Sequence, residues 1–258
     1  MIMRRERRVV GFVGAAAVAR ACLVGIRAKP PGGPDRWARA NHAGRTVDLL
    51  AGPATAVGAT FAAARVRPAA GLAVAVAGAC GTYDDLAGAG DPRRGFRAHL
   101  GALRDGEVTS GAVKLFGITA AGLVTGALLK ERPLDKVLAG VVIAGTAHFV
   151  NLVDVRPGSA AGAVLALGVP GVLRGGEAGQ VAAGALGAVA AVLGDDLAER
   201  AMIGDAGAHA LGAALGTAVV LGTGRTGLVA HAAALVTAAA CGPRVSAAAV
   251  GAFRYLRE

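Results

Sequence analysis

The sequence predicts an all-α fold, a polytopic transmembrane helical bundle of about nine to ten spans, built as a single integral-membrane domain over residues 1–258. Three observations carry that reading. The 258 residues are 54% hydrophobic and only 17% charged, with a mean hydropathy of +0.55, too apolar for an ordinary water-soluble domain. The charges cluster, leaving uncharged windows at 49–64, 68–83, 115–129, 137–153, 157–173, 178–194, 206–224 and 226–243. Those windows have span length, since a helix crossing the hydrocarbon needs roughly 20 predominantly apolar residues, with about 17 the lower end.

Taken in order, the first span is expected at about 9–28, behind the basic start "MRRERR". A basic start, a short apolar core and small residues near Cys22 also resemble a secretory signal. Arg20 interrupts the place where a cleavage site would want small uncharged residues, so a retained span is the expectation. "RVRP" separates the second and third spans, "KERP" the fourth and fifth, "RGGEAG" the sixth and seventh, and "GTGRTG" the eighth and ninth. A tenth span is expected at 245–256. The competing class is an Ala/Gly-rich soluble α/β enzyme, for which Gly222-x-Gly224-x-x-Gly227 would be a dinucleotide-binding turn. That site needs an acidic residue about 20 positions further on. After Asp205 the next carboxylate is Glu258, so these glycines are read as a loop between spans. Cys22, Cys80 and Cys241 have no C-x-x-C spacing and give neither a disulfide framework nor a zinc site.

Folding the windows back and forth sorts the loops onto two faces. One receives 29–46, 82–110, 151–157, 194–205 and the C-terminal tail; the other receives the four short basic connections and the N-terminus. The first face collects Asp84, Asp85, Asn151, Asp154, Asp195, Asp196 and Asp205. A carboxylate near hydrocarbon is costly, so those at span ends are expected to have a partner, a cation or a function. Asp91, Asp105 and Glu107 are read as ordinary solvated surface. Hard oxygen ligands with no convergent His or Cys suit Mg²⁺, with Mn²⁺ as second candidate, and Mg²⁺ commonly keeps waters and substrate phosphates. Basic residues able to receive phosphate share that face: Lys29, Arg36, Arg39, Arg45, Arg93, Arg94, Arg97, Arg104 and Lys114. Lys114 is one of only four lysines and opens the next span, where phosphate contact and snorkelling are both open. Counted from Arg27 onwards, this face holds 15 Lys and Arg against 7 on the other. By the positive-inside rule the loops place it in the cytosol, although "MRRERR" alone would argue the reverse. The net charge of +10 fits anionic headgroups and phosphates; few aromatics and no basic stripe give no nucleic-acid signature.

"YDDLAG", "FVNLVDVRPG" and "MIGDAGAHALGAALG", in that order on one face, resemble the polyprenyl-phosphate N-acetylhexosamine-1-phosphate transferase family, over about Lys29 to Gly216. The resemblance implies transfer of a sugar-1-phosphate from a UDP-sugar to a polyprenyl phosphate lipid at the cytoplasmic face of the plasma membrane, initiating a cell-envelope glycan. It implies that Asp84 orients or deprotonates the lipid phosphate and that Asp85 helps hold the metal and diphosphate. Asp205, in the Gly-Asp-x-Gly block, is implied as a Mg²⁺ ligand, Lys114 as a phosphate contact, and Asn151 and Asp154 as parts of the nucleotide-sugar pocket. The first loop, "RANHAGRTVDLLAGPA", is a faint likeness of the family's first cytosolic loop; Lys29 and Arg45, among the basic residues of that face, are expected as substrate-binding residues. Three departures stand beside this. Gly88 occupies a place where the family often has Asp or Asn, Ala208 and His209 replace a Ser-Leu pair, and the histidine-rich motif of the last cytosolic loop has no counterpart, for which His42 or His209 could substitute. Two other classes stay open: a catalytically inactive member that binds lipid-linked precursors or scaffolds envelope assembly, and an ion-coupled transporter, whose charges should lie nearer mid-span. The Gly and Ala content allows close helix packing, with which a homodimer is compatible.

Overall fold

The computed structural model describes residues 2–91, 93 and 95–254, and their backbone is almost wholly helical. In chain order the elements are α1 (Ile2–Ala28), a short hairpin of β1 (Ala38–Ala40) and β2 (Thr46–Asp48), α2 (Ala51–Val66), α3 (Pro68–Ala87) and α4 (Phe96–Arg104). There follow α5 (Ser110–Leu129), α6 (Pro133–Val153), α7 (Ser159–Arg174), α8 (Gly176–Leu197), α9 (Gly204–Gly222), α10 (Arg225–Ala240) and α11 (Gly242–Arg254).

The breaks between helices have local causes. Arg67 is extended (φ −148°, ψ 126°) because the residue before a proline is pushed out of the helical region, and Pro68 then opens α3 at a position where no N–H is needed. Arg132 and Pro133 repeat the device at α6. Thr109 caps α5, its hydroxyl accepting from Ala112 N at 3.1 Å.

α9 is the central helix, buried along nearly its whole length and packed by α2, α3, α6 and α8. The core it shares with them is mainly Ala, Gly and Val, while Leu, Val and Phe side chains such as Phe12, Phe116, Leu128, Leu165 and Leu173 face outward. That inverts the water-soluble pattern: small residues let helices approach, and the bulky apolar surface is left for lipid. A Cβ on Gly212 would stand 2.5 Å from the Thr146 carbonyl oxygen, so α9 and α6 can lie this close only with glycine there. Three buried hydroxyls are satisfied inside their own helices, Thr55 on Ala51, Thr146 on Val142 and Thr217 on Ala213, while Thr125 of α5 donates across to the Ala69 carbonyl of α3 at 3.2 Å.

Among the described residues five helices, α1 from Arg5, α5, α6, α8 and α9, are long and apolar enough to cross a membrane; α10 with α11 makes a sixth if the bent pair is one span. These are the features of a membrane protein. α2, α7 and α10 have 16 residues each, about 24 Å of helix at about 1.5 Å per residue against a hydrocarbon core of about 30 Å. The expected tenth span at 245–256, of which residues 255 and 256 lie outside the described residues, falls on α11, which leaves α10 at 90°. It packs on the motif end of the bundle, where Ser246 Oγ donates to the Leu152 carbonyl at 2.7 Å and Phe253 lies against Gly162.

The two-face sorting is visible in the contacts. At one end Arg67 pairs with Glu177 at 3.0 Å, Arg225 with Asp135 at 2.6 Å, Lys130 donates to the Thr223 carbonyl and Arg174 to that of Gly222. All four short connections therefore meet there. The loops of the opposite end enclose a cavity.

Candidate functional site

α3 does not stop where its uncharged window does. It runs on to Ala87, so Asp84 and Asp85 sit on its last turn rather than in the loop after it. Gly81, one turn earlier, makes this useful: a Cβ there would lie 2.3 Å from the Asp205 carbonyl oxygen. The absence of that atom lets the end of α3 touch the start of α9.

Asp85 exploits the contact. Its Oδ1 accepts from Asp205 N at 3.1 Å and its Oδ2 from Ala206 N at 3.0 Å, so it caps the positive end of α9. Asp84 and Asp205 both receive the Lys114 ammonium, Asp84 Oδ2 at 2.5 Å, with Asp205 the second partner of the same nitrogen. Lys114 stands one turn inside α5 and has three N–H groups, so this arrangement leaves one for another acceptor.

The other wall is the turn between α6 and α7. Ser159 Oγ accepts from the backbone N–H of Val155 at 3.0 Å and Arg156 at 3.1 Å. Its own proton is shared between the Arg156 carbonyl at 2.6 Å and Asp154 Oδ1 at 3.2 Å. Gly158 N donates to Asp196 Oδ2 at 2.6 Å. Burial, and secondarily the neighbouring Asp196 carboxylate, push Asp154 up to about 7, so it carries a proton over much of the range in which an ordinary aspartate has lost one.

The cavity measures about 750 Å³ and is lined by Asp84, Asp85, Lys114, Asn151, Asp154 and Asp205, six of the eight residues singled out from sequence. Lys29 and Arg45 are not on its wall. Lys29 is exposed beyond the end of α1, and Arg45, near the hairpin tip, gives its guanidinium to Glu199. Arg39 and Arg93 do line it; Arg94 and the side chain of Arg97 lie outside the described residues. Asp195 and Asp196 divide. Asp196 lines the cavity, while Asp195 is held outside it by Arg20 at 2.8 Å, Arg27 at 3.1 Å and Arg200 at 3.0 Å. Of the two candidate histidines His42 is on the wall, whereas His209 is buried beneath it, giving Nδ1 to the Asp205 carbonyl at 2.7 Å and meeting the His148 ring edge-on.

Sequence reading missed three features. The hairpin, only three residues per strand, joins the site because Asp48 bridges to the α8–α9 loop, its carbonyl accepting from Met202 N at 2.8 Å. His99 of α4 lines the cavity, its Nδ1 3.0 Å from the Thr109 hydroxyl that caps α5. Asp91 and Glu107, read as plain surface, are tied together by Arg93, which holds both carboxyls below the usual carboxylate range; Asp91 is also on the cavity wall.

The described lining carries seven carboxylates and four cationic side chains, a formal excess of three negative charges. An anion entering this space must bring, or find, a cation. The donor set suits a hard divalent ion, because Asp84 and Asp205 already converge on one positive charge, and Mg²⁺ characteristically takes one or two carboxylates and keeps waters. No cluster of three or more candidate metal-binding side chains occurs among the described residues. No family model matches the chain, and no curated protein matches it.

Proposed function

We propose that this chain is a Mg²⁺-dependent membrane phosphoglycosyltransferase of the polyprenyl-phosphate N-acetylhexosamine-1-phosphate transferase type, acting at the cytoplasmic face of the plasma membrane. The observation that carries the reading is the convergence of "YDDLAG", Lys114, "NLVD" and "GDAG" on one cavity from the ends of α3, α5, α6 and α9. In this reading nine helices, α1 to α3 and α5 to α10, cross the bilayer, and α11 lies along the cytoplasmic surface. The short spans α2, α7 and α10 are completed by flanking residues.

The reaction joins an oxygen of polyprenyl phosphate to the β-phosphorus of a UDP-sugar; the bond from that phosphorus to the bridging oxygen breaks and UMP leaves. Both reactants are anionic, so neutralisation and alignment matter more than covalent help. When bound, Mg²⁺ would offset phosphate charge and polarise phosphoryl oxygens. Asp84 and Asp205 are the carboxylates placed to hold it. Asp85, expected from sequence as a metal ligand, serves them from behind by fixing the backbone of Asp205. The remaining N–H of Lys114 is available to a phosphate oxygen. Asp154 and Asn151 offer hydrogen bonds to the sugar or nucleoside, with the raised Asp154 able to donate as well as accept. The position at span ends follows from the acceptor, whose tail lies in hydrocarbon and whose phosphate lies at its border.

The test is incorporation of ³²P from β-labelled UDP-sugars into the lipid fraction by full-length protein in detergent. Asp205→Asn and Asp84→Asn are expected to remove incorporation while leaving the protein inserted. Incorporation at the parent rate by both variants would remove these residues from the mechanism.

A further inference from the structure

Four cationic side chains line the cavity among the described residues, and three of them are engaged. Arg39 donates to the carbonyls of Ala38 at 2.7 Å and Asp85 at 2.6 Å, Arg93 is paired with Asp91 and Glu107, and Lys114 with Asp84 and Asp205. Arg156 differs. Its guanidinium makes no ion pair or hydrogen bond with another described residue, and its Nε is buried without an acceptor. A buried N–H in that state carries its full desolvation cost, and a guanidinium cannot shed its proton to avoid it. Yet seven carboxylates line the same cavity among the described residues, and the fold pairs none of them with this guanidinium.

The backbone under Arg156 is held from several sides. Its N–H is on Ser159 Oγ, its carbonyl accepts from Ser159 N at 2.9 Å, and Gly158 is fixed on Asp196. A free fork on a fixed base is a preorganised receptor. We propose that Arg156 binds the phosphoryl oxygens of the substrate, using paired N–H groups that match phosphate geometry. This rests on the transferase reading and deepens it, assigning a cation that the sequence motifs left unassigned. A phosphoryl group can come here from the nucleotide or from the lipid. Asn151 and Asp154, five and two residues before Arg156 and on the same cavity wall, supply an amide and a protonatable carboxyl of the kind that engages ribose and base, which favours the nucleotide.

The experiment is equilibrium binding to the full chain in detergent with Mg²⁺, using UDP, uridine and farnesyl phosphate as probes, on the parent protein, Arg156→Ala and Arg156→Lys. The expected result is a UDP affinity lowered about ten- to hundredfold in Arg156→Ala, the loss of a charge-assisted contact, with partial recovery in Arg156→Lys and uridine binding unchanged. A loss confined to farnesyl phosphate supports the same receptor with the lipid as its source. Parent-like affinity of Arg156→Ala for both phosphates overturns the inference and leaves the transferase reading standing. Parallel loss of uridine and UDP makes Arg156 a structural residue and also overturns it. Failure of the parent protein to bind either phosphate overturns the inference and the reading on which it rests.

Discussion

Replacing Lys114 with methionine tests the central contact of the cavity. The substitution keeps the length and apolar stem of the side chain and removes only the ammonium, leaving Asp84 and Asp205 facing each other without a shared cation. Breaking a buried pair by deleting one partner costs about 3–5 kcal/mol. The side chains here retain 16% exposure for Lys114, 16% for Asp84 and 25% for Asp205, which favours the lower end. About 3 kcal/mol corresponds to a fall of about 6–12 °C in the unfolding midpoint at about 2–4 °C per kcal/mol for a chain of this size. The assay is thermal unfolding in detergent, with and without Mg²⁺. A divalent ion taking the vacated position would restore about 2.7 kcal/mol at a concentration one hundred times its dissociation constant. Lys114→Met should therefore gain more from Mg²⁺ than the parent protein does, and Lys114→Met with Asp84→Asn should lose less than Lys114→Met alone. A Lys114→Met midpoint equal to that of the parent, with no added response to Mg²⁺, would refute the shared-cation arrangement.

Other expectations follow from single contacts. Gly81→Ala should drive a methyl group into the Asp205 carbonyl and cost about 1–3 kcal/mol or more, lowering both the midpoint and turnover, while Gly101→Ala, in open space, should be nearly neutral; equal midpoints would contradict the α3–α9 approach. Asp154 binds its proton more tightly in the folded state, so stability should fall as pH rises from about 4 to about 7 and level off above, and Asp154→Asn should flatten that fall in a pH series of unfolding midpoints. In a background without the three native cysteines, Asp105→Cys and Glu131→Cys should be labelled from opposite sides of sealed vesicles by an impermeant thiol reagent; labelling from the same side would refute the two-face sorting.

Much of this arrangement was legible in the sequence because charge spacing is a direct consequence of the hydrocarbon's cost for ions. The loops it assigned to one face are the loops that close the cavity, and Asp84, Lys114, Asn151, Asp154 and Asp205 were found that way or by motif. What escaped had no periodic or compositional signal. α3 continues through two aspartates because Asp85 finds two amides of α9, a tertiary partner invisible to a hydropathy window. The hairpin strands are too short for alternation to register. Arg156 lies inside "FVNLVDVRPG", yet in sequence a loop arginine looks the same whether paired or not; only the contacts separate it from Arg93. Lys29 and Arg45 were placed by loop membership, which fixes a face and not a wall. α11, where a tenth span is expected, turns 90° from α10 and packs against Leu152 and Gly162 at the end of the bundle, contacts that a hydropathy window does not register.

The most direct measurement is UMP release by the purified full-length chain from a panel of UDP-sugars with undecaprenyl phosphate, with Mg²⁺ and again with excess chelator. The account predicts release with at least one donor, dependent on both the lipid and the metal, and abolished by Asp205→Asn. A folded protein that releases no UMP from any donor in the presence of Mg²⁺ would contradict it.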